Sequence, residues 1–298
     1  MGIGIVVTDG YAPEDPDHDT PVLLEALRAR GADAEAVVWH ADAPDAAAAD
    51  LLVIRSPWDY PERIEEFRTW LDRAEATARV LNTPATVRWN LDKHYLRDLA
   101  QAGIAVVPTV YCTDAEQTRE ALAAHDPGRV VVKPTVSAGA RDTGLFDAGD
   151  PRALALAARI IDSGGVAMIQ PEIAELTAGH EKALYAIDGH HTHAIAKGAL
   201  LELGGGLVGG VYVEHPVPVD TTADERAFAD AALRAVQSVT GERMPLYARI
   251  DIVDSADYGL VLLEIELVEP ALNLHVAPHA VDAVADAIVR AAIDRPER

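Results

Sequence analysis

The segment LYARIDIVDSADYGLVLLEIELV, at residues 246–268, is the part of the sequence that decides the fold. Two apolar runs flank a short polar turn, which predicts an antiparallel hairpin. Asp251 in the first run and Glu264 in the second are about equally far from the turn, and Glu266 follows two residues later. Because side chains two apart on a strand share a face, the hairpin is predicted to gather three carboxylates, with Arg249 on the same side.

The predicted carboxylate cluster points to a metal site. Three like charges on one apolar hairpin are costly unless a cation neutralises them. Carboxylate oxygens suit Mg²⁺, which also takes water and substrate phosphates as ligands. We therefore expect Asp251, Glu264 and Glu266 to hold Mg²⁺. The alternative is a solvated strand face, although Leu260 and Leu262 are predicted to continue the face of the two glutamates.

The first part of the chain alternates between short apolar runs and amphipathic stretches. Strands are expected at 2–10, 34–40, 51–57 and 79–84, and helices at 20–31 and 63–77. This alternation predicts a small open parallel sheet, which presents ligands at the carboxyl ends of its strands. The candidate substrate-binding residues at one such end are Arg55, Ser56, Trp58, Asp59 and Tyr60. The alternative is a helix entry, with Ser56 or Asp59 as the cap and Trp58 in the core.

The pattern changes to mixed α+β in the rest of the chain. Helices are expected at 90–103, 114–125, 151–162, 222–240 and 279–294. Strands are expected at 106–112, 129–136 and 166–173, and in a further hairpin around Asp188-Gly189. The prediction is therefore an α/β domain at 1–87, a small α+β lobe at 88–170 and a larger α+β lobe at 171–298.

Two lysines are candidates for binding an anion. Lys133 lies inside the apolar run VVVKPTV, and a buried ammonium group needs an anionic partner. Lys93 lies in the sequence NLDK, on the helix that opens the small lobe. The small residues at 135–140, which include Ser137, suit a cover over phosphates through their backbone N–H groups. The alternative for either lysine is an exposed place on the surface.

The segment at 169–173 connects the two predicted lobes. An exposed strand edge there, at Gln170, Glu172 and Ile173, offers backbone hydrogen bonds to an adenine ring, and Glu181 offers a carboxylate to a ribose hydroxyl. The alternative is an ordinary connector between the lobes.

Three weaker features complete the set of candidates. The glycines at 204–210 form either a mobile lid over a site or a plain hairpin tip. The histidines at 190–193 follow a turn and alternate between faces, which disfavours a metal site. The acidic loop formed by Asp15, Asp17, His18 and Asp19 is expected to be solvated.

Composition excludes several classes of function. The chain has 298 residues and a formal net charge of −23, which argues against nucleic-acid and anionic-membrane partners. Its single cysteine, Cys112, excludes an internal disulfide. With no signal peptide and no apolar run of about 18 residues, a cytoplasmic protein is expected. The sequence TDGYAP after the first strand lacks the glycine pattern of NAD-binding sheets.

Six short motifs in a fixed order resemble the ATP-grasp superfamily, of the glutathione synthetase and D-alanine–D-alanine ligase type. They are NLDK with Lys93, VVVKP with Lys133, QPEI at 170–173, HEK with Glu181, ARID at 248–251 and LEIE at 263–266. The resemblance covers nearly the whole chain and implies an ATP-grasp fold, in which two α+β lobes sandwich ATP.

The resemblance also implies roles for these residues. The lysines contact ATP phosphates, the hinge and Glu181 hold adenosine, and the carboxylate trio holds Mg²⁺. Arg249 stabilises the acyl-phosphate and tetrahedral intermediates, and Lys197 in AIAKG supplies a further cation. Two departures are Glu266, where these ligases commonly have Asn, and a phosphate loop reduced to SAGA.

The opening VVTDGYAPEDPDHDT and the stretch RSPWDYPERIEEF are similar to those of the D-cycloserine synthetases. This similarity implies an ATP-dependent carbon–nitrogen ligase of antibiotic biosynthesis, which closes O-ureido-D-serine to a ring and acts as a homodimer on a small amino-acid-like substrate. The alternatives are a ligase that joins two separate substrates and a non-catalytic nucleotide-binding protein.

Overall fold

Three β-sheets organise the computed structural model, which describes residues 2–11, 16–41, 49–208 and 215–294. The first sheet is parallel and the other two are antiparallel, which confirms the predicted succession of an α/β part and two α+β parts. Within these ranges, no helix combines the length and the apolar character needed to cross a bilayer.

The parallel sheet has the strand order β2-β1-β3-β4. Its strands are β1 (Gly2–Val7), β2 (Asp33–Val38), β3 (Leu51–Ser56) and β4 (Arg79–Leu81). The helices beside it are α1 (Asp19–Ala29) and α2 (Ile64–Thr77). Every residue of β3 is buried, as expected of a strand that is covered on both faces.

The second sheet has the order β5-β8-β6-β7. Its strands are β5 (Val110–Cys112), β6 (Arg129–Pro134), β7 (Gly144–Asp147) and β8 (Ala167–Pro171). The helices that pack on it are α5 (Ala115–Ala123) and α6 (Pro151–Asp162). Asp114 and Asp150 cap these helices by accepting backbone N–H bonds in their first turns.

The third sheet carries the hairpin at 246–268 and has the order β11-β10-β9-β12-β13. Its strands are β9 (Glu181–Ile187), β10 (His190–Lys197), β11 (Val217–Pro218), β12 (Tyr247–Ser255) and β13 (Gly259–Glu266). The helices that follow β11 and β13 are α8 (Ala223–Thr240) and α9 (Val281–Ile293). A capping box between Thr222 and Glu225 starts α8.

The helix predicted over 90–103 is wrong in its first part: α4 (Tyr95–Gln101) forms within that range, and a separate short helix, α3 (Pro84–Asn90), ends where the prediction begins. Between them, the Asp92 carboxylate accepts the backbone N–H of His94 at 2.9 Å, and the N–H of Lys93 donates to the carbonyl of Thr135 at 2.8 Å. Because these bonds replace helical ones, the chain turns and fixes Lys93 against the end of β6.

The strand predicted at 106–112 is shorter than expected. Pro108 has no N–H to donate, and regular pairing begins only at Val110. Val106 forms a separate bridge to Leu262 of β13, so this segment ties the second sheet to the third. The short strands β7 and β11 were not predicted.

Helix α9 belongs in sequence to the last predicted lobe, but it packs on the first. Leu23 and Leu27 of α1 share a buried core with Val284 and Ile288 of α9. Each sheet falls within one of the three predicted segments, apart from Pro171 at the end of β8, and the exact boundaries at 87 and 170 stay a prediction. The short helix α7 (Ala174–Thr177) follows the second of these boundaries.

Candidate active site

The hairpin gathers the three carboxylates as predicted. Asp251 pairs with Glu264, and Arg249 pairs with Glu266, across β12 and β13. One oxygen from each of the three acids lies within 4.8 Å of the others. All of these ligands are carboxylate oxygens, the chemistry that Mg²⁺ prefers in proteins.

A bulge in β13 corrects the prediction for the rest of this face. Ile252 pairs with Leu262 whereas Asp251 pairs with Glu264, so Leu263 is an extra residue without a partner in the strand pair. Leu262 therefore packs with Ile252 in the core on the opposite side of the sheet. Leu263, not Leu262, borders the cavity beside the glutamates.

Two cations hold the buried carboxylate of Asp251. Lys197 Nζ lies 2.7 Å from its Oδ2, and Arg249 donates to both of its oxygens at 2.8–3.1 Å. Arg249 Nη2 also lies 2.5 Å from Glu266 Oε1, and Lys197 Nζ lies 3.0 Å from Glu181 Oε1. Asp251 has no exposed surface, so these bonds offset the cost of burying its charge.

The two glutamates of β13 have opposite pKa shifts. Burial by itself would raise the pKa of Glu264, but Lys93, Lys133 and the neighbouring cations outweigh it and lower the pKa to about 2. Burial raises the pKa of Glu266 to about 8, because the attraction of Arg249 is opposed by Glu264 and the other nearby carboxylates. A cation bound beside the trio would favour the charged form of Glu266.

A cavity beside the trio is bordered by most of the predicted nucleotide and catalytic residues. The members of the predicted set along its wall are Tyr60, Lys93, Lys133, Ser137, Gln170, Glu172, Ile173, Glu181, Lys197, Arg249, Glu264 and Glu266. They come from all three predicted segments of the chain. The resemblance carried by the six motifs implied that these residues meet at one site, and in the structure they border one cavity.

Both predicted phosphate lysines point into this cavity. Lys93 Nζ donates to the carbonyl of Ser137 at 3.0 Å and lies 3.6 Å from Glu264 Oε2. Burial lowers the pKa of Lys133, an effect that Glu264 opposes and Lys93 reinforces. Two ammonium groups near one carboxylate form a site with affinity for a further anion.

The connecting segment differs from its prediction in one respect. Strand β8 is not an edge strand, because it lies between β5 and β6. Its pairing with β5 ends at Ile169, whereas Gln170 and Pro171 remain paired with β6, and residues 170–173 run along the cavity wall. The amide of Gln170 donates to Thr109 Oγ1 at 2.8 Å, and Glu172 accepts a hydrogen bond from Thr177.

Comparison with known proteins identifies the family of this chain. Over 282 residues the chain is 36% identical to the cycloserine biosynthesis protein DcsG of Streptomyces lavendulae, covering 92% of this chain and 93% of that protein. The chain belongs to the DcsG family of ATP-grasp ligases. The family model "D-cycloserine synthetase DcsG, N-terminal domain" matches residues 3–82 of this ligase.

Solved structures support the same assignment. The crystal structure of D-cycloserine synthetase DcsG matches this ligase with a TM-score of 0.90 and 32% identity, over 98% of this chain and 100% of that one. D-alanine–D-alanine ligase from Bacillus anthracis, complexed with ATP, matches with a TM-score of 0.63 and 12% identity, over 98% and 97%. The second likeness shows the shared fold alone. This member of the DcsG family is an ATP-dependent carbon–nitrogen ligase.

Of the five residues predicted to bind substrate, Tyr60 borders the cavity of this ligase. The other four do not border this cavity and make hydrogen bonds within the protein instead. Arg55 donates to the carbonyl of Pro270, and Trp58 Nε1 donates to the carbonyl of Glu269 at 3.1 Å. These two side chains hold the segment that follows β13.

Ser56 and Asp59 belong to the framework of the first sheet. Ser56 Oγ lies 2.5 Å from Asp17 Oδ2 and 2.7 Å from the hydroxyl of Tyr11. Asp59 accepts the indole N–H of Trp39 at 2.8 Å. The alternative in which one of them caps α2 is wrong, since no described side chain caps that helix or the 3-10 turn before it.

The acidic loop before α1 is not solvated as expected. Asp19 is buried and accepts the backbone N–H groups of Leu272 and Leu274 at 2.5 and 2.7 Å. Burial raises the pKa of Asp19, an effect that Arg55 and these hydrogen bonds oppose. Asp15 lies outside the described residues, as do 209–210 of the glycine-rich loop.

The histidines at 190–193 have separate partners, and a bulge at Thr192 corrects the expected alternation, which would place His191 and His193 on the same face. His191 Nε2 lies 2.9 Å from Asp230 Oδ1, whereas His193 stacks on Tyr185 and donates to the carbonyl of Leu272.

Sequence reasoning missed one carboxylate in the cavity wall. Glu269 follows β13 and is 9% exposed. The signal for it was an acidic residue in the otherwise apolar run after Glu266, three positions beyond the last predicted ligand.

Proposed function

We propose that this ligase uses ATP to activate the carboxylate of O-ureido-D-serine and closes the molecule to the ring of D-cycloserine. The observation that carries the proposal is the convergence on one cavity of three lysines, Arg249 and two of the three carboxylates, with Asp251 buried beside them; the lysines are Lys93, Lys133 and Lys197, and the carboxylates are Glu264 and Glu266. The choice of substrate is supported by the printed names of two relatives at 36% and 32% identity, both of D-cycloserine biosynthesis.

The carboxylate trio fits Mg²⁺ by its donor set. Three carboxylate oxygens within 4.8 Å of one another are all hard oxygen ligands. We propose that Asp251, Glu264 and Glu266 hold the ion, which supplies charge neutralisation for the phosphates when bound. Glu266 replaces the asparagine common in related ligases, so this site gains a further carboxylate ligand, whose charged form a bound cation would favour.

Local cations must bind the nucleotide, because the formal net charge of −23 repels it at long range. We propose that Lys93 and Lys133 contact the phosphates and that Lys197 supplies a further positive charge. The 135–140 segment, fixed to Lys93 through Ser137, is proposed to cover the phosphates.

We propose that the adenosine part lies along the segment that leaves β8. Gln170 in β8 and Glu172 and Ile173 after it border the cavity, as does Glu181, the first residue of β9. The side chain of Gln170 is engaged by Thr109, so its contribution is through the backbone. Glu181 is the group proposed to accept a ribose hydroxyl.

The reaction has two steps in this proposal. A carboxylate oxygen of the substrate attacks the terminal phosphorus of ATP, and ADP leaves. The oxygen-bound nitrogen of the ureido group then attacks the acyl carbon, and phosphate leaves; hydrolytic loss of the carbamoyl group completes D-cycloserine. Arg249 is proposed to stabilise the oxyanion, and attack within one molecule supplies much of the entropic advantage.

ADP release measured over a panel of amino acids, with O-ureido-D-serine included, tests this proposal. We expect ADP to form with O-ureido-D-serine alone, in the presence of ATP and Mg²⁺. ADP release only after addition of a second amine indicates a two-substrate ligase instead. No ADP release with any compound, despite nucleotide binding, indicates a non-catalytic protein.

We propose that the protein is a cytoplasmic homodimer. Within each chain, we propose domain boundaries at residues 87 and 170. Sedimentation equilibrium of the full chain measures the mass of the assembly directly, and a monomer mass contradicts the dimer. Limited proteolysis with mass spectrometry of the fragments locates the boundaries.

A further inference from the structure

Glu269 is a carboxylate in the cavity wall, and the proposed function gives it no role. It is 9% exposed and borders the cavity together with Tyr60, whose hydroxyl is its hydrogen-bond donor. Lys93, Arg249 and Lys197 all have carboxylate partners elsewhere. Among the described residues, no basic nitrogen forms an ion pair with Glu269 within 4.0 Å.

The undescribed internal segments do not supply the missing cation. The sequences at 12–15, 42–48 and 209–214 contain no lysine, arginine or histidine. Burial raises the pKa of Glu269, an effect that Tyr60, Lys93 and Arg249 oppose only in part. A cation bound beside it in the cavity would favour its charged form.

The backbone around Glu269 is fixed on both sides. Its own carbonyl accepts from Trp58 Nε1 at 3.1 Å, and the carbonyl of Val268 accepts from the hydroxyl of Tyr247 at 2.9 Å. The carbonyl of Pro270 accepts from Arg55. Residues of the first and third sheets therefore fix the backbone at 268–270, and the hydroxyl of Tyr60 holds the Glu269 side chain at the cavity.

The geometry points to Glu269 as the residue that binds the α-ammonium group of the amino-acid substrate, an inference that rests on the proposed function. Glu269 follows Glu266 by three residues, a span of at most about 10 Å. An α-amino acid whose carboxylate lies beside the trio and Arg249 has its ammonium group two bonds from the carboxyl carbon. A single carboxylate with a phenol beside it suits an ammonium ion better than a second Mg²⁺, which takes more oxygen ligands.

A substrate without the amino group tests this inference in the wild-type enzyme. The probe is 3-(ureidooxy)propanoic acid, which keeps the carboxylate and the ureido group of O-ureido-D-serine. Because an unpaired buried charge remains when the ammonium is absent, we expect kcat/KM to fall by about 100-fold with this probe. Equal kcat/KM for the two compounds overturns the inference without any variant.

The variants separate recognition from structural support. We expect Glu269→Gln to raise KM for O-ureido-D-serine, to leave KM for ATP unchanged and to reduce the 100-fold preference to less than about 10-fold. Glu269→Asp keeps the charge and should keep most of the preference. Glu65→Gln, at an exposed glutamate of α2, is the matched control. A Glu269→Gln enzyme that loses activity equally toward both compounds shows a structural role and overturns the inference.

The same experiment distinguishes the inference from the proposed function. No ADP release by the wild-type enzyme with either compound overturns the proposed function, and the inference falls with it. ADP release by the wild-type enzyme with an unaltered preference in Glu269→Gln overturns the inference alone.

Discussion

The guanidinium of Arg249 donates two hydrogen bonds to the carboxylate of Asp251, which lies two residues further along the same strand. Nε is 2.9 Å from Oδ1, and Nη2 is 2.8 Å from Oδ2. Both residues are buried, and their strand is paired on both sides. The planar fork of the arginine is thereby held in one orientation beside the cavity. This orientation is what the proposed stabilisation of an oxyanion requires.

Arg249→Lys should lower kcat by about 100- to 1,000-fold, because an ammonium group cannot reproduce the fork that faces both the carboxylate and the oxyanion. Steady-state ADP release with O-ureido-D-serine measures the effect. Arg88→Lys is the matched control, since Arg88 pairs with Asp72 and Glu75 on the exposed surface. Similar kcat values for the two variants contradict the role of Arg249.

Lys133→Met should reduce ATP turnover by about 100-fold or more and leave the fold intact, because a charge-assisted contact to phosphate is lost. Nucleotide affinity by calorimetry and ADP release are the two measurements. Lys182→Met serves as the control, since Lys182 is paired with Glu225 at 2.8 Å. Unchanged affinity and turnover in Lys133→Met count against the phosphate site.

The two glutamates of β13 should respond differently when each is replaced by glutamine. Cations lower the pKa of Glu264, so its charge stabilises the fold above its usual pKa and Glu264→Gln should lower the melting temperature. The pKa of Glu266 is raised, so its ionisation opposes folding as the pH rises toward 8, and Glu266→Gln should raise the melting temperature at pH 8.

Melting curves of the metal-free protein, followed by ADP release against Mg²⁺ concentration, test both statements. Each variant should need more Mg²⁺ than the wild type, because each loses one of three carboxylates. Full activity at low Mg²⁺ in both variants would mean that the trio is not a metal site.

His193 should make the protein less stable in mild acid. Burial lowers its pKa to about 4, although the carbonyl of Leu272 favours the charged form. The unfolded chain binds a proton near pH 6.5 and the folded chain does not, so this group's contribution is lost as the pH falls from about 6.5 to about 4, by at most about 3 kcal/mol.

His193→Gln keeps a donor for Leu272 and removes the titration. Its free energy of unfolding should therefore change less between pH 6.5 and pH 4.5 than that of the wild type. Equal pH dependence in urea unfolding would show that His193 does not contribute.

The sequence could predict the parts of the site that local periodicity determines. Side chains two apart on β12 and β13, and a turn centred between Asp251 and Glu264, were enough to place the trio and Arg249 together. The bulge at Leu263 could not be predicted, because an extra residue in one strand leaves the composition of both runs unchanged.

Contacts between residues that are far apart in the sequence could not be predicted either. Arg55 and Trp58 were correctly placed at the end of β3, but their partners at 269–270 are more than 200 residues away in sequence. Nothing local distinguishes a side chain that faces a ligand from one that holds a remote backbone carbonyl. For the same reason, the sequence does not predict that Glu269 borders the cavity, which residues of all three segments enclose.

The most direct test of the account follows the carboxyl carbon of O-ureido-D-serine labelled with ¹³C at that position. The ligase is incubated with ATP and Mg²⁺ and without a second amine, and the products are observed by NMR while ADP is counted. The account predicts one molecule of ADP for each labelled carbon that becomes the ring carbonyl of D-cycloserine. Labelled carbon that stays as free carboxylate while ADP accumulates, or that moves only when another amine is present, would contradict it.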